Sequence, residues 1–275
     1  MSNKSYRSKT GRSTKRPLGQ GGLDADDAIF SGLDVVEVMQ KFGRYDSVGT
    51  TFVPVAIGGI YRTLQAAGAT ALRVKAGGNA NDTAAGTGAR EITLVGLDEN
   101  FAAVTETLAT AGASASLATT ATFTRLYRAW VSKSGTYASA TAGSHSGDIV
   151  IEDSGGTQDW GTISSTSFPR GQTEIGAYTI PAGKTGYVPY ATVSVDSTKS
   201  SDLLFFQRTG AGAAAVPYDA MRVVFELGGV SNDRTIKPRY PYGPFVGPCD
   251  LGFMAKVASG TAAVVVDFEV WLVDA

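Results

Sequence analysis

From Val264 to Leu272 every second side chain is apolar: Val264, Val266, Phe268, Val270 and Leu272. Asp267 and Glu269 stand on the opposite side with Val265, Trp271 and Val273. A period of two marks a half-buried strand and excludes a helix over the same stretch. Met221, Val223, Phe225 and Leu227 alternate with Arg222 and Glu226 in the same way, and Tyr187, Ala191, Val193 and Val195 with Thr192, Ser194 and Asp196. Further strands are expected at 71–75, 91–97, 101–108, 122–132, 148–152, 173–180, 202–208 and 251–257. Turn sequences punctuate them at Asp98-Glu99-Asn100, Pro181-Ala182-Gly183 and Ser231-Asn232-Asp233. About a dozen short strands without a long helix between them predict an all-β chain of antiparallel, sandwich or jelly-roll-like architecture.

Composition agrees. Gly contributes 34 of 275 residues, about 12% against an average near 7%. Charged residues make up 18%, below the roughly 25% of an average globular chain. That pattern excludes a coiled coil. A hydrophobic fraction of 43% is enough to build a core. One cysteine, Cys249, excludes an intramolecular disulfide framework and a cysteine-based zinc site. One histidine, His145, excludes histidine-cluster metal centres and leaves a serine hydrolase a single candidate base. No metal or cofactor is implied. The polar, basic residues after Met1 do not read as a secretory leader. The longest apolar run, Ala262 to Val273, is interrupted by Asp267 and Glu269, so no membrane-spanning helix is expected.

Charge is uneven along the chain. Residues 1–23 carry Lys4, Arg7, Lys9, Arg12, Lys15 and Arg16 and no acid, leaving 18 basic against 25 acidic groups elsewhere. With Ser, Thr and Gly for most of the rest, this arm lacks the apolar surface to offset its own ordering entropy, and it reads as disordered until a partner orders it. Next, Asp24, Asp26 and Asp27 precede Ile29, Leu33 and Val36 at helical spacing, and Gly43 supplies a stop. One short helix over 25–41 is therefore expected. The organisation read from sequence is a basic arm (1–23), a helix and linking segment (24–66), a first β region (67–165) and a second β sandwich region (166–275). The boundary is placed in the small, polar residues of 154–172. A second irregular stretch, 228–250, holds Pro238, Pro241, Pro244 and Pro248 with Tyr240, Tyr242 and Phe245. Prolines at that density preclude a central strand, so a loop over a sandwich end or against a neighbouring subunit is expected.

Few motifs suggest chemistry. Gly183-Lys184-Thr185 ends as a phosphate-binding loop does, but the required upstream glycine is Tyr178 and no helix follows, so a hairpin turn is the better reading. Gly143-Ser-His-Ser-Gly147 has histidine where a nucleophile elbow needs serine, and reads as an unsupported loop. Asn81-Asp82-Thr83 is a glycosylation sequon without a secretory context. Asp267 and Glu269 share a strand face about 7 Å apart by strand rise; a solvated face explains them better than a glycosidase pair. No catalytic residue is assigned, and no enzyme is expected.

Several stretches together resemble a known family. They are Lys41-Phe42-Gly43 with Val48-Gly49-Thr50, Arg73-Val-Lys-Ala-Gly-Gly-Asn79 with Gly86-Thr-Gly-Ala-Arg90, and Val95-Gly-Leu-Asp98. Glu106-Thr107, Thr110-Ala-Gly-Ala-Ser114, Arg125-Leu-Tyr-Arg-Ala129, Tyr178-Thr-Ile-Pro-Ala-Gly-Lys-Thr185 and Val193-Ser-Val-Asp196 extend them. Over about 40–275 the chain resembles virion-associated structural proteins of tailed bacteriophages, especially marine ones. The resemblance implies a structural protein of the virion, made in the host cytoplasm, and carries over no catalytic or ligand residue.

On this reading the chain is a capsid decoration, a spike or fibre base, or a head-tail or baseplate component, anchored by its arm. Its partners would be copies of itself in a trimer or another ring, and other virion proteins. Tyr240, Tyr242, Phe245 and Trp271 are the expected subunit contacts. Two alternatives are a carbohydrate-binding sandwich for host-surface glycans, built on an exposed aromatic platform, and a jelly-roll coat protein whose arm touches nucleic acid. Six charges give the last only a weak phosphate contact, with a salt slope of at most ~5 for duplex DNA.

Overall fold

The structure, a computed structural model, describes residues 6–7, 13–14, 35–62, 68–139, 143–166, 170–196, 198–213 and 215–275. Among these it is all-β, with one short 3-10 turn at Ile57–Gly59. In the arm, β1 (Tyr6–Arg7) pairs antiparallel with β2 (Ser13–Thr14). Lys4, Lys9, Arg12, Lys15 and Arg16 lie outside the described residues, as do 25–34 of the expected helix. The rest of that helix is not helical: residues 35–41 open the longest strand, β3 (Val35–Val48), followed by β4 (Val53–Pro54). The segment read as a linker is thus part of the fold.

The first region contains β5 (Thr70–Val74), β6 (Ala89–Leu97), β7 (Ala103–Ala109), β8 (Thr122–Phe123), β9 (Arg125–Ser134), β10 (Ile149–Asp153) and β11 (Asp159–Ile163). One sheet runs β11-β10-β5-β8 and the other β7-β6-β9. Between them Leu72, Ile92, Leu94, Phe123, Leu126, Ile151, Trp160 and Ile163 form one core. Strand β11 arises inside the stretch read as a boundary; a register shift against β10 at Trp160 breaks its alternation and lets both Trp160 and Ile163 enter the core. Two loops of small residues meet at Asp82. Its buried carboxylate accepts from the amides of Ala89, Ser146 and Gly147 at 2.8–2.9 Å. The sequon is consequently a clasp between loops.

The second region contains β12 (Ala177–Ile180), β13 (Lys184–Val188), β14 (Ala191–Val195), β15 (Ser201–Arg208), β16 (Arg222–Val230), β17 (Asn232–Ile236), β18 (Tyr242–Val246), β19 (Cys249–Val257) and β20 (Ala262–Asp274). Strand β20 is central to one sheet. Strand β3 pairs along nearly all of it, while β14 and β13 share its other side and carry β17 and β18 as outer edges. The facing sheet runs β12-β19-β15-β16, with β4 also on β19. Phe205, Phe253 and Phe268 interlock between the sheets, their centroids 4.9–5.7 Å apart. The predicted alternation over 264–272 holds: Val264, Val266, Phe268, Val270 and Leu272 are all buried.

Two further expectations change. Gly183 has φ +73° and closes a turn, yet its flanking strands do not pair. Strand β12 bonds to β19, and β13 to β18 and β20. The turn is a corner between sheets, not a hairpin. The proline-rich stretch does contain a strand, β18, but at a sheet edge, the one place where Pro244 costs no ladder bond.

The two regions are joined closely. After β11 the chain runs beside β9, with Val131 N bonding to Gly171 O and Thr173 N to Ala129 O, each at 2.8 Å. Beyond, Gly176 N bonds to Val55 O at 2.9 Å. Gly43 lies against this crossing, where an added Cβ would collide with the Val55 carbonyl and the Gly176 amide. Tyr127, Leu97 and Phe101 of the first region enter the second core.

Candidate functional site

Among the described residues, chemistry-bearing side chains gather at a buried polar lock, a polar cleft and an open sandwich edge.

The lock sits where β9 meets the outer face of β19. Arg125 reaches Asp250 with two bonds, Nε to Oδ1 and Nη2 to Oδ2, both 2.9 Å, and the pair is 1% and 0% exposed. Arg125 also donates to the carbonyls of Thr124 (2.8 Å) and Ala211 (3.1 Å). On the other side, Thr179 Oγ1 donates to Asp250 at 2.6 Å and Tyr61 OH at 3.2 Å. Tyr127 OH donates to Thr179 O. Burial opposes the Arg125 charge, but Asp250 outweighs it and the guanidinium stays ionised. Burial, then the Asp250 charge, pushes the Tyr61 hydroxyl well up. The lock joins the two regions, its polar atoms bonded to internal partners, while Arg125 and Ala211 also line a pocket with Glu99 and Phe101.

Near it lies a lone buried lysine. Lys41, on the inner side of β3, is 2% exposed and donates to Tyr127 O at 2.7 Å. Burial and then the nearby Arg128 bring its pKa from 10.5 to about 7. Sequence reading missed Lys41, Arg125 and Asp250 as functional. The one available signal was their position among apolar strand residues.

The cleft lies between β3, the 3-10 turn and the segment after β11, with a volume of about 210 Å³. Two ion pairs line it, Arg44–Asp46 at 2.5 Å and Arg170–Glu174.

The open edge brings together three of the four expected subunit contacts. Tyr242 on β18 stacks on Phe225 of β16, centroids 4.8 Å apart, so the outer strands of both sheets lie side by side. Phe245 is buried in the chain's own core. Tyr240 is 51% exposed, beside Arg239, and Val223 (52%) and Val246 (59%) are exposed on β16 and β18. Trp271 is elsewhere, half-buried on the outer face of β20 beside Tyr187 of β13 and Val38 of β3, its indole donating to Glu269 at 2.9 Å. Trp160 is core and Trp130 half-buried. Among the described residues these aromatics do not make the flat exposed platform that the carbohydrate alternative needs.

The remaining candidates are structural. His145 is not unsupported: it is 8% exposed and its Nε2 lies 3.1 Å from Ser164 O. Asp267 takes a bond from Gln40 at 3.4 Å, and Glu269 holds the Trp271 indole. Lys184 pairs with Asp274 at 2.6 Å, across the β13–β20 ladder. Burial pushes the Cys249 thiol up to about 12, far from a reactive thiolate.

No family model matches the chain, and no curated protein does. Among solved structures, the crystal structure of infectious bursal disease virus VP2 subviral particle aligns over 88% of this chain and 82% of that chain. Identity is 9% and the TM-score 0.15, a likeness too slight to carry any argument about fold or function.

Proposed function

We propose that this chain is a non-enzymatic structural component of a virion, of the tailed-phage kind its sequence resembles, assembling with copies of itself in a closed ring and anchored by its basic arm. The observation that carries the reading is the open edge. Unpaired outer strands expose a row of backbone donors and acceptors and invite another chain, and natural proteins cover or blunt them. Here β16, nine residues long, exposes Val223 at the edge, and β18 exposes Val246 beside it. Pro244 is the one blunting device on β18. A second copy seated there would bury Val223, Val246 and Tyr240 and leave the internal Phe225–Tyr242 stack intact. The groups that carry chemistry elsewhere support the same reading, since Arg125, Asp250, Asp82 and His145 are spent on joining loops and regions.

The test is analytical ultracentrifugation of the full chain beside Val223→Asp/Val246→Asp. Two charges in an apolar interface should weaken assembly by about a hundredfold or more, with far-UV circular dichroism unchanged because both side chains are exposed. A wild-type chain that stays monomeric, or a variant that assembles as well as wild type, would overturn the proposed interface.

A further inference from the structure

We propose that the cleft where the two regions meet binds a neutral saccharide of one or two sugar units. This goes beyond the structural role and does not depend on assembly, because one chain supplies every wall. Crevices between packed units are favoured ligand sites, and a volume of about 210 Å³ lies below the ~300–1,000 Å³ of pockets for drug-sized molecules, so the occupant is small.

Charge selects the class. Arg44 and Arg170 bring two positive charges, and Asp46 and Glu174 bring two negative ones, each paired with its neighbour across the cleft wall. Among the described residues the lining is neutral as a whole. A phosphate or carboxylate attracted by the guanidiniums would meet both carboxylates at once, and a cation would meet both guanidiniums. The other polar groups, the Gln172 amide and the Ser164 and Thr166 hydroxyls, each donate and accept. A ligand studded with hydroxyls, which also donate and accept, matches that wall without carrying charge. Tyr45 and Ile57 add an apolar surface for the carbon-bound hydrogens of a pyranose ring.

The site is held in shape before any ligand arrives. Ile57 N bonds to Glu174 O at 3.1 Å and Gly59 N to Ala56 O at 2.8 Å. Ala56 and Ile175 form a β-bridge just below. The Tyr45 ring packs against Gly59, where even a methyl group would crowd it. Gly58 takes φ +72° at the cleft wall, a conformation open to glycine and strained for most other residues. A fixed wall avoids the ordering cost that weakens small-ligand binding. The cleft is built without the aromatic loop 238–248, which lies by β18, on the other side of β20 from β3.

Saturation-transfer NMR on the full chain tests the proposal, with methyl glucopyranoside, galactopyranoside and mannopyranoside and N-acetylglucosamine as probes and inorganic phosphate as the anionic control. At least one sugar should show saturation transfer, and phosphate should not displace it. Gln172→Ala should weaken that sugar about five- to tenfold, the worth of one lost hydrogen bond set, with an unchanged melting temperature. Tyr240→Ser, at the opposite edge, should leave binding as it was. Absence of transfer from all four sugars overturns the proposal. So does tighter binding of phosphate than of any sugar, or a Gln172→Ala protein that folds and binds sugar as wild type does. None of these outcomes bears on the oligomeric state, which tests the structural role separately.

Discussion

Asp250→Ala is expected to destabilise the protein by about 3–5 kcal/mol, because it leaves the Arg125 guanidinium buried without its counter-charge. The loss extends beyond one pair. Thr179 and Tyr61 lose an acceptor too, so the second region's side of the lock is weakened along with its tie to Arg125 of the first. Urea denaturation at neutral pH reads the change as a lower midpoint. The double variant Arg125→Met/Asp250→Leu separates charge from packing. With both charges gone, an apolar pair of similar volume should recover most of the stability. An unfolding free energy for Asp250→Ala within about 0.5 kcal/mol of wild type would show that the lock is not what joins the regions.

The second large effect is one of pH. The unfolded chain holds the Lys41 proton up to about 10.5, whereas the folded chain releases it from about 7. Between those values the unfolded state binds more protons, so stability rises with pH across the window. Below about 7 both states are charged and the full penalty of the buried ammonium is present. Each unit of the window is worth 1.36 kcal/mol, giving a rise of about 2 kcal/mol from pH 7 to 9. The upper limit keeps the measurement clear of Cys249, whose raised pKa acts with opposite sign above 9, and of Tyr61, Tyr127 and Tyr178 above 10. Lys41→Met removes the titrating group and should flatten the curve over pH 7–9. A variant that keeps the wild-type slope would assign the pH dependence to another group.

These two sites explain what was legible in the sequence. The strands read most clearly, β20 and β14, bury one face against a facing sheet and leave the other in polar surroundings, so period two survives in the residue order. At the edge strand β16 the same alternation leaves Met221, just before it, and Val223 exposed and turns only Phe225 and Leu227 partly inward. Strand β3 could not be read because its inner face holds Lys41 and Gly43 where valine or phenylalanine would signal a strand. Gly43 is there because Val55 and Gly176 come too close for a side chain, and Lys41 because it caps the Tyr127 carbonyl. Both reasons are tertiary. The preceding acids and the spacing of Ile29, Leu33 and Val36 then favoured a helix that residues 35–41 do not form. Strand β17, Asn232–Ile236, is polar because it is an exposed edge, and such strands carry no alternation to detect. Arg125 and Asp250 are 125 positions apart, and nothing in the residue order pairs them. The cleft was equally hidden, since its walls come from β3, the 3-10 turn and the linker between regions.

The proposed role, a chain built into a virion and held there by its arm, can be tested on particles. Quantitative mass spectrometry and cryo-electron microscopy of purified particles test it most directly. The comparison is between particles assembled with the full chain and with a chain lacking residues 1–23. The full chain should co-purify at a fixed copy number and occupy symmetric density, while the shortened chain should melt at the same temperature but be absent from the particles. Particles that contain no copy of the full chain, with all of it left in the lysate, would contradict the claim.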